Sequence, residues 1–324
     1  MKSIACKMFT VLAIGLVLAA SPVLANQAEE QGPGIGEPQP VLPQSVGIAG
    51  VMDDLFAGTG AFGGGFANPA FTIDVETDTS TQVFTGLPVW GAAYEAAGDR
   101  VLFTSSGVDP VDGADLYEYS VSGGGAPTLL GSITLGGTSL RIDGLAISGG
   151  VLYGVQQFDS GTSVAGLFSI DPTTREATFL VGVTSGAISG IGADADTGII
   201  YGADDTAGQI VTIDPVGGST NFAPYPAAET DLDGLAAGGG KIYLVPDDNT
   251  PGEIFPFDIA SMTYDPSLTA PWGATADTFS GAAFLGAPEP EVPVIEIPTL
   301  SALGMLGLVL LLGLSAAFLL RRRA

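Results

Sequence analysis

Residues 144–172 read GLAISGGVLYGVQQFDSGTSVAGLFSIDP, and this stretch carries the pattern that decides the fold. It begins with glycine followed by small and apolar residues, and continues with an apolar-apolar-aromatic group at Val151–Tyr153. An alternating segment, Leu167–Asp171, follows and runs into a proline. Alternation of apolar and polar residues predicts a strand with one buried face. Asp followed by Pro is favoured at the first two positions of a tight turn, so the stretch predicts consecutive short strands joined by turns.

The same elements recur along the chain. The glycine anchors are Gly47, Gly91, Gly144, Gly190, Gly234 and Gly281, at spacings of 44, 53, 46, 44 and 47 residues. The alternating segments end at Asp74, Ser120, Asp171, Asp214 and Asp258. A weaker fourth element follows in three units, at Thr81–Phe84, Thr128–Leu130 and Ala177–Leu180. Four short strands in each unit of about 45 residues is the pattern of a propeller blade.

These repeats predict an all-β fold, a β-propeller of five to six four-stranded blades over residues 44–286. The last anchor, Gly281–Leu285, is expected to pair into the first unit and close the ring, which removes free strand edges. An open β-sandwich or a two-domain β protein is the structural alternative. The repeats also resemble Gly-rich exported propeller repeats that carry the motifs GLA, LYG, LFxIDP and LVG. Those families mostly lack an assigned activity, so this resemblance implies a fold only.

The N-terminal residues 1–25 have the three parts of a signal peptide, and we expect a signal helix that signal peptidase removes. Two lysines come first, the apolar run Met8–Ala20 follows, and small residues lead to a predicted cleavage after Ala25. Residues 26–43 are polar and contain Pro and Gly, which predicts a disordered lead-in. The chain is therefore expected to be exported.

The C-terminal part predicts a spacer and a membrane anchor. Residues 287–296 contain prolines and glutamates and should form a stiff linker. Residues 300–320 carry no charge, and 21 residues at about 1.5 Å each match a bilayer core of about 30 Å. Three arginines follow directly and are expected to stay on the cytoplasmic side. We therefore expect an inner-membrane-anchored precursor with its large domain outside the cytoplasm.

A sorting motif overlaps this predicted membrane-spanning segment. Residues 297–324 resemble the IPTL-CTERM sorting tail, which is related in design to the PEP-CTERM tails handled by exosortases. The residues that carry the resemblance are Ile297, Pro298, Thr299, Leu300, Ser301, Gly304, Arg321, Arg322 and Arg323. The resemblance implies recognition by an exosortase-like sorting protease, removal of the helix, and delivery to the surface of a Gram-negative bacterium. The family often has Trp-Gly after the serine where this chain has Leu303-Gly304, which leaves open whether the tail is cleaved or stays as an anchor.

Charge and composition exclude several classes of function. Between the two terminal segments, four basic residues stand against 35 acidic ones, a net charge of −31. Such a surface repels phosphate backbones, so we expect no nucleic-acid binding. The acidity either keeps an exported protein soluble or favours cations and basic partners. The chain has no histidine, and its only cysteine, Cys6, lies in the signal peptide. Ser-His-Asp and Cys-His catalysis are therefore excluded, as is a disulfide in the mature chain.

Two aspartates are candidate calcium ligands. Asp143 and Asp233 each stand directly before an anchor glycine, in the sequence Asp-Gly-Leu-Ala. The first strand of a blade lines the central channel, so these carboxylates are expected to converge near its mouth and to suit Ca²⁺ as oxygen ligands. The alternative is that each aspartate tightens a turn by accepting backbone hydrogen bonds. The pairs Asp204-Asp205 and Asp247-Asp248 follow second strands. They could bind a cation on one rim, but an acidic surface favours the interpretation as solvated loops.

Two further patterns have structural interpretations. Asp194–Gly198 begins like a calcium loop, but its glycine comes one residue early, which favours a hairpin turn. Trp90 and Trp272 form either part of a sugar platform or part of the core.

The favoured function is an exported, surface-sorted propeller that binds a matrix glycan, a protein partner or another copy of itself. The alternatives are a calcium-assisted hydrolase with its metal at the channel, and a purely structural surface component.

Overall fold

The computed structural model describes residues 54–60, 67–107, 109, 111–157, 165–183, 188–227, 229–230, 232–246, 252–272 and 279–286. The predicted signal helix, lead-in, linker and sorting tail lie outside these residues, as does the anchor Gly47–Ala49. The described chain is made of β-strands, with one 3₁₀ turn, η1, at Ala96–Gly98. Among these residues no helix is long and apolar enough to cross a membrane.

The 23 strands of the described residues form five blades and one small hairpin. Blade 1 contains β1 (Asp54–Thr59), β2 (Ala70–Asp74) and β3 (Thr79–Phe84). Blade 2 contains β4 (Ala92–Glu95), β5 (Arg100–Ser105), β6 (Asp115–Ser120) and β7 (Thr128–Ser132). The hairpin β8 (Thr134–Leu135) and β9 (Thr138–Ser139) follows. Blade 3 contains β10 (Gly144–Ser148), β11 (Val151–Gln156), β12 (Gly166–Ile170) and β13 (Ala177–Gly182).

Blade 4 contains β14 (Ile188–Ala193), β15 (Ile200–Asp204), β16 (Gln209–Asp214) and β17 (Gly218–Pro224). Blade 5 contains β18 (Gly234–Gly238), β19 (Lys241–Val245), β20 (Glu253–Asp258), β21 (Thr263–Tyr264) and β22 (Leu268–Thr269). The last strand, β23 (Phe279–Leu285), belongs to blade 1. Neighbouring strands within each blade are antiparallel, so each blade is a meander that runs outward from the axis.

The C-terminal strand closes the ring. β23 pairs antiparallel with β1, and this places Asp54 opposite Leu285 and Phe56 opposite Ala283. β23 therefore fills the innermost position of blade 1, which confirms the predicted closure by the last anchor. Of the expected five to six blades, the structure has five, because the last anchor completes the first unit and does not begin another.

Two irregularities of the repeat have structural causes. The 53-residue spacing between Gly91 and Gly144 accommodates the hairpin β8–β9, which pairs Thr134 with Ser139 before blade 3 begins. The outermost strands of blades 4 and 5 have no counterpart among the predicted fourth elements. They face solvent, so they need no regular apolar alternation; β17 is half-buried or exposed over most of its length, and the outer edge of blade 5 is split into β21 and β22.

The core lies between the blades. Between blades 1 and 2, the rings of Phe84 and Phe103 stack with centroids 5.5 Å apart, and Phe103 stacks on Tyr117 at 5.4 Å. The apolar side chains of the other blades form equivalent clusters. Alternating strand residues supply these contacts, so burial holds each blade against the next.

The predicted Asp-Pro turns are present. Asp171 Oδ1 accepts a hydrogen bond from the N–H of Thr173 at 2.8 Å, and Asp214 Oδ1 accepts one from the N–H of Val216 at 2.7 Å. Hydrogen bonds to backbone N–H groups stabilise the ionised carboxylates and lower the pKa of both aspartates. Each turn joins the third strand of a blade to its outermost strand.

The anchor glycines lie where innermost strands approach one another most closely. A Cβ on Gly144 would lie 2.8 Å from the backbone nitrogen of Ile191, and one on Gly190 would lie 2.2 Å from the carbonyl oxygen of Asp233. These contacts are between backbones of neighbouring blades, which have no side chain to move aside. At Gly91, Gly144 and Gly190, the backbone next to the neighbouring blade leaves no room for a Cβ.

Candidate functional site

The innermost strands run from one end of the propeller axis to the other and create two different openings. We call the end where they begin the top mouth. Arg141 and Gln157 line it, together with five residues that each stand directly before an anchor glycine. These five are Trp90, Asp143, Ser189, Asp233 and Ser280. The space that they enclose is only about 10 Å³, which is room for about one water molecule.

An ion pair fills one side of the top mouth. Arg141 Nε donates to Asp143 Oδ1 at 2.5 Å, and the N–H of Gln157 donates to Oδ2 at 2.8 Å. The guanidinium carbon of Arg141 lies 5.0 Å from the centroid of the Trp90 ring, in cation–π geometry. Asp143 is only 4% exposed. Burial raises the pKa of the Asp143 carboxyl, while the charge of Arg141 and the Gln157 hydrogen bond oppose that rise.

A second network holds Ser189, which also lines the mouth. The Ser189 hydroxyl donates to Asp205 Oδ2 at 2.9 Å, and the Tyr225 hydroxyl donates to Oδ1 at 2.9 Å. The N–H of Leu232 adds a third hydrogen bond to Oδ1 at 3.1 Å. Burial, together with the negative charge of Asp205, raises the pKa of Tyr225. Asp205 is therefore a structural acceptor between blades 4 and 5, and Asp204 accepts the N–H of Ala207 in the turn below it.

The structure brings the two candidate calcium ligands to the same place, because Asp143 and Asp233 both line the top mouth. Both oxygens of Asp143 already accept protein hydrogen bonds. In the part of the chain that the structure describes, no three acidic, His or Cys residues are grouped so that they could hold a metal. The calcium site stays a prediction, and the pair Asp247-Asp248 lies outside the described residues.

Replacing Arg141 with methionine is expected to destabilise the domain and to make its stability more dependent on pH. Removing one partner of a buried ion pair costs about 3–5 kcal/mol. Arg141 is about one-third exposed, and solvent screening reduces the expected loss to about 2 kcal/mol. Urea unfolding midpoints between about pH 4 and pH 8 measure the effect.

The sign of the pH effect follows from the raised pKa of Asp143. A carboxyl whose folded-state pKa exceeds its unfolded value gives stability that is complete below about pH 4 and is lost as the pH rises through the folded pKa. Without Arg141 that pKa rises further, so the loss continues to higher pH. The double variant R141M/D143N is the reference for R141M. It lacks the Asp143 carboxyl, and every other carboxyl titrates equally in the two variants. Parallel curves for the two variants would contradict the pairing.

The other end of the axis holds a larger space, which we call the bottom cavity. Its volume is about 230 Å³, and it is lined by the last residues of the five innermost strands. Ten of its 20 lining residues are alanine and four are glycine, so the walls are smooth and mostly apolar. Ala92, Ala146, Ala236 and Ala282 form buried wall, whereas Asp196 and Gly239 are exposed at the rim.

Two aspartates and two aromatic side chains give the bottom cavity its chemistry. Asp194 is 3% exposed, and its Oδ1 accepts the N–H of Asp196 at 2.9 Å in the predicted hairpin turn. Tyr94 donates its hydroxyl to Asp99 at 3.1 Å, and burial together with Asp99 raises the pKa of Tyr94 to about 12. Phe284 stacks on Tyr243 with centroids 5.6 Å apart. None of the described residues that line this cavity is basic.

Sequence reasoning missed the bottom cavity and most of the top mouth. The signal for the mouth was present, since five of its residues directly precede the anchor glycines. Aligning the repeats on glycine would have collected Trp90, Ser189 and Ser280 beside the two aspartates. The structure places Trp272 in the core, where it stacks on Phe279 at 3.8 Å, and places Trp90 under the Arg141 guanidinium. Neither indole is an exposed sugar platform.

The strands and their closure define a five-bladed β-propeller with an axial cavity. No protein-family model matches the chain, and no curated protein matches it. A solved structural genomics protein of unknown function from Bacteroides thetaiotaomicron VPI-5482 is similar at 17% identity, with a TM-score of 0.47 over 68% of this chain. This chain spans 60% of the length of that protein. A chain of a nidogen/laminin complex is similar at 14% identity, with a TM-score of 0.46 over 72% of this chain and 98% of the other.

Proposed function

We propose that this chain is an exported propeller, sorted to the bacterial surface, that works there by binding. The feature that supports a binding role best is the bottom cavity, a concave space at the axis of a closed ring. A closed ring is rigid and has no free innermost edge, so it presents the cavity and its surrounding turns in fixed geometry. The ligand is a surface glycan, a protein partner or a second copy of the chain.

Export and surface sorting rest on the two terminal segments. A signal peptide cleaved after Ala25 would deliver the chain across the inner membrane, and the tail at residues 297–324 would hold it there for an exosortase-like protease. The acidic middle part, with a net charge of −31 from four basic and 35 acidic residues, suits an exposed domain that must stay soluble. It also favours basic or cationic ligands over nucleic acids.

A retention assay on the producing bacterium tests the binding role. An epitope tag inserted beside Val216, a residue 90% exposed in the turn between β16 and β17, should be reached by antibody on intact cells. The purified tagged chain should then bind extracellular matrix from these cells saturably and leave the matrix polymer intact. A chain that ends after residue 278, which lacks β23 and which we expect not to fold, is the control for non-specific adhesion. Equal retention of both proteins would contradict the proposal.

The same assay separates binding from the alternative, a calcium-assisted hydrolase. The convergence of Asp143 and Asp233 at the top mouth is the observation that favours a metal there. A hydrolase would release shortened matrix polymer in millimolar calcium, and a D143N variant would not. Intact polymer with and without calcium, together with an unchanged melting temperature in millimolar calcium, would end the hydrolase hypothesis.

A further inference from the structure

Among the described residues, the bottom cavity combines apolar walls with a carboxylate, Asp194, that has no ion-pair partner. Asp194 is 97% buried, and its carboxylate accepts one hydrogen bond, from the N–H of Asp196. Among the described residues its side chain forms no ion pair, because the ion pairs of the domain join Arg100, Arg141 and Lys241 to other acids. A buried carboxylate is costly unless a cation or further hydrogen bonds stabilise it.

From this geometry we infer that the bottom cavity binds an ammonium group carried on a short aliphatic stem. The stem would lie against the alanine walls, and the ammonium would face Asp194, with Asp196 adding negative charge at the rim. The half-buried ring of Tyr94 lines the same space, and the face of an aromatic ring attracts a cation. This inference rests on the proposed function, because it names the ligand chemistry of the same cavity.

The chain's own neighbouring segment is a poor occupant. Gly286, the last residue that the structure describes, lines the cavity, and the predicted linker follows it in the sequence. That linker carries Glu289 and Glu291, and like charges disfavour its return to a cavity lined by Asp194 and Asp196. An incoming cation is favoured in addition by the strongly acidic domain, whose long-range field concentrates cationic ligands at its surface.

The test uses the full chain in a nonionic detergent, with alanine methyl groups labelled for NMR. We expect n-butylammonium to bind saturably and to shift the methyl signals of Ala92, Ala146, Ala236 and Ala282. The methyl groups of Ala70 and Ala223, which are buried elsewhere, should not shift. n-Butanol has the stem without the charge, and methylammonium has the charge without the stem. Both should bind at least about tenfold more weakly, as should butyrate, whose charge is opposite.

Two matched substitutions isolate the charge of Asp194. D194N keeps the Oδ1 that accepts the N–H of Asp196, so the turn is preserved while the charge is removed. D214N makes the same change in a turn on the outer part of blade 4, where Asp214 Oδ1 likewise accepts backbone hydrogen bonds. We expect D194N to weaken n-butylammonium binding about tenfold and D214N to leave it unchanged.

The outcomes that overturn the inference are distinct from failure of the binding role. Equal affinity for n-butanol, unchanged affinity in D194N, or no shift of the cavity alanines with any probe would each overturn it. The matrix-retention result would stand in all three cases. A blocked tripeptide, acetyl-Gly-Lys-Gly-amide, distinguishes the source of the ammonium group. Binding of the peptide at least as tight as that of n-butylammonium indicates a lysine of a protein partner, and binding of the free amine alone indicates a small molecule.

Discussion

The variant G190A is expected to lose about 3 kcal/mol of stability, which lowers the melting temperature by about 6–12 °C for a domain of this size. The added Cβ would lie 2.2 Å from the carbonyl oxygen of Asp233 and 2.9 Å from the backbone nitrogen of Leu235. Both atoms belong to the backbone of the neighbouring blade, so no side-chain rotation relieves the clash. The innermost strands β14 and β18 would have to separate, which disturbs the whole ring.

A second glycine-to-alanine change provides the matched control. A Cβ on Gly182, in the outermost strand β13, would have no atom within 4 Å, and the backbone of Gly182 is not in the left-handed region. We therefore expect G182A to change the free energy of unfolding by less than about 0.5 kcal/mol. Thermal melts of both variants give the comparison. Similar stabilities for G190A and G182A would show that the anchors are not required by close packing.

The repeat contained most of the information about the fold. Anchor, aromatic group and Asp turn recur in register, so the sequence alone predicted four-stranded units, the Asp171 and Asp214 turns and closure by Gly281–Leu285. It could predict these because each depends on local constraints: alternation sets a buried face, and Asp followed by Pro sets a turn. To predict the number of blades, one must also know which strand the last anchor pairs with. That pairing depends on tertiary contacts.

The features that the sequence did not predict are those that local constraints leave free. The outer strand β17 faces solvent, so no apolar pattern marked it. The hairpin β8–β9 is an insertion in one unit and has no counterpart in the repeat. The pairing of Arg141 with Asp143 involves side chains only two residues apart, but its consequence, a filled top mouth, depends on Trp90 from the preceding blade.

The candidate site was predictable in position but not in character. Asp143 and Asp233 were expected at the channel mouth because they precede innermost strands, and both do line it. The spacing of the residues does not predict that a basic side chain pairs with Asp143. The bottom cavity is built from alanine and glycine, which have no distinctive chemistry in a sequence. Only the closed ring reveals that these small residues leave a space of about 230 Å³ beside Asp194.

Removing β23 is expected to abolish the native fold. A chain that ends after residue 278 loses the partner of β1 and leaves that strand as an exposed edge. It also loses the two large apolar side chains that are buried in β23: Phe279, which is fully buried and stacks on Trp272, and Leu285, which is 6% exposed. Truncating such residues costs about 3–5 kcal/mol for Phe and 2–5 kcal/mol for Leu. Their sum approaches the whole stability of a typical domain, about 5–15 kcal/mol.

A chain that ends after Gly286 is the matched control, because it keeps every described pairing of β23 and lacks only the linker and tail. Circular dichroism during heating should show a cooperative transition for this control and none for the shorter chain, which we expect to aggregate through β1. A cooperative transition in the shorter chain would contradict closure by β23 as a requirement for folding. The segment Gly47–Ala49 repeats the anchor wording directly before blade 1, so it is the part of the chain whose sequence would suit the vacated position.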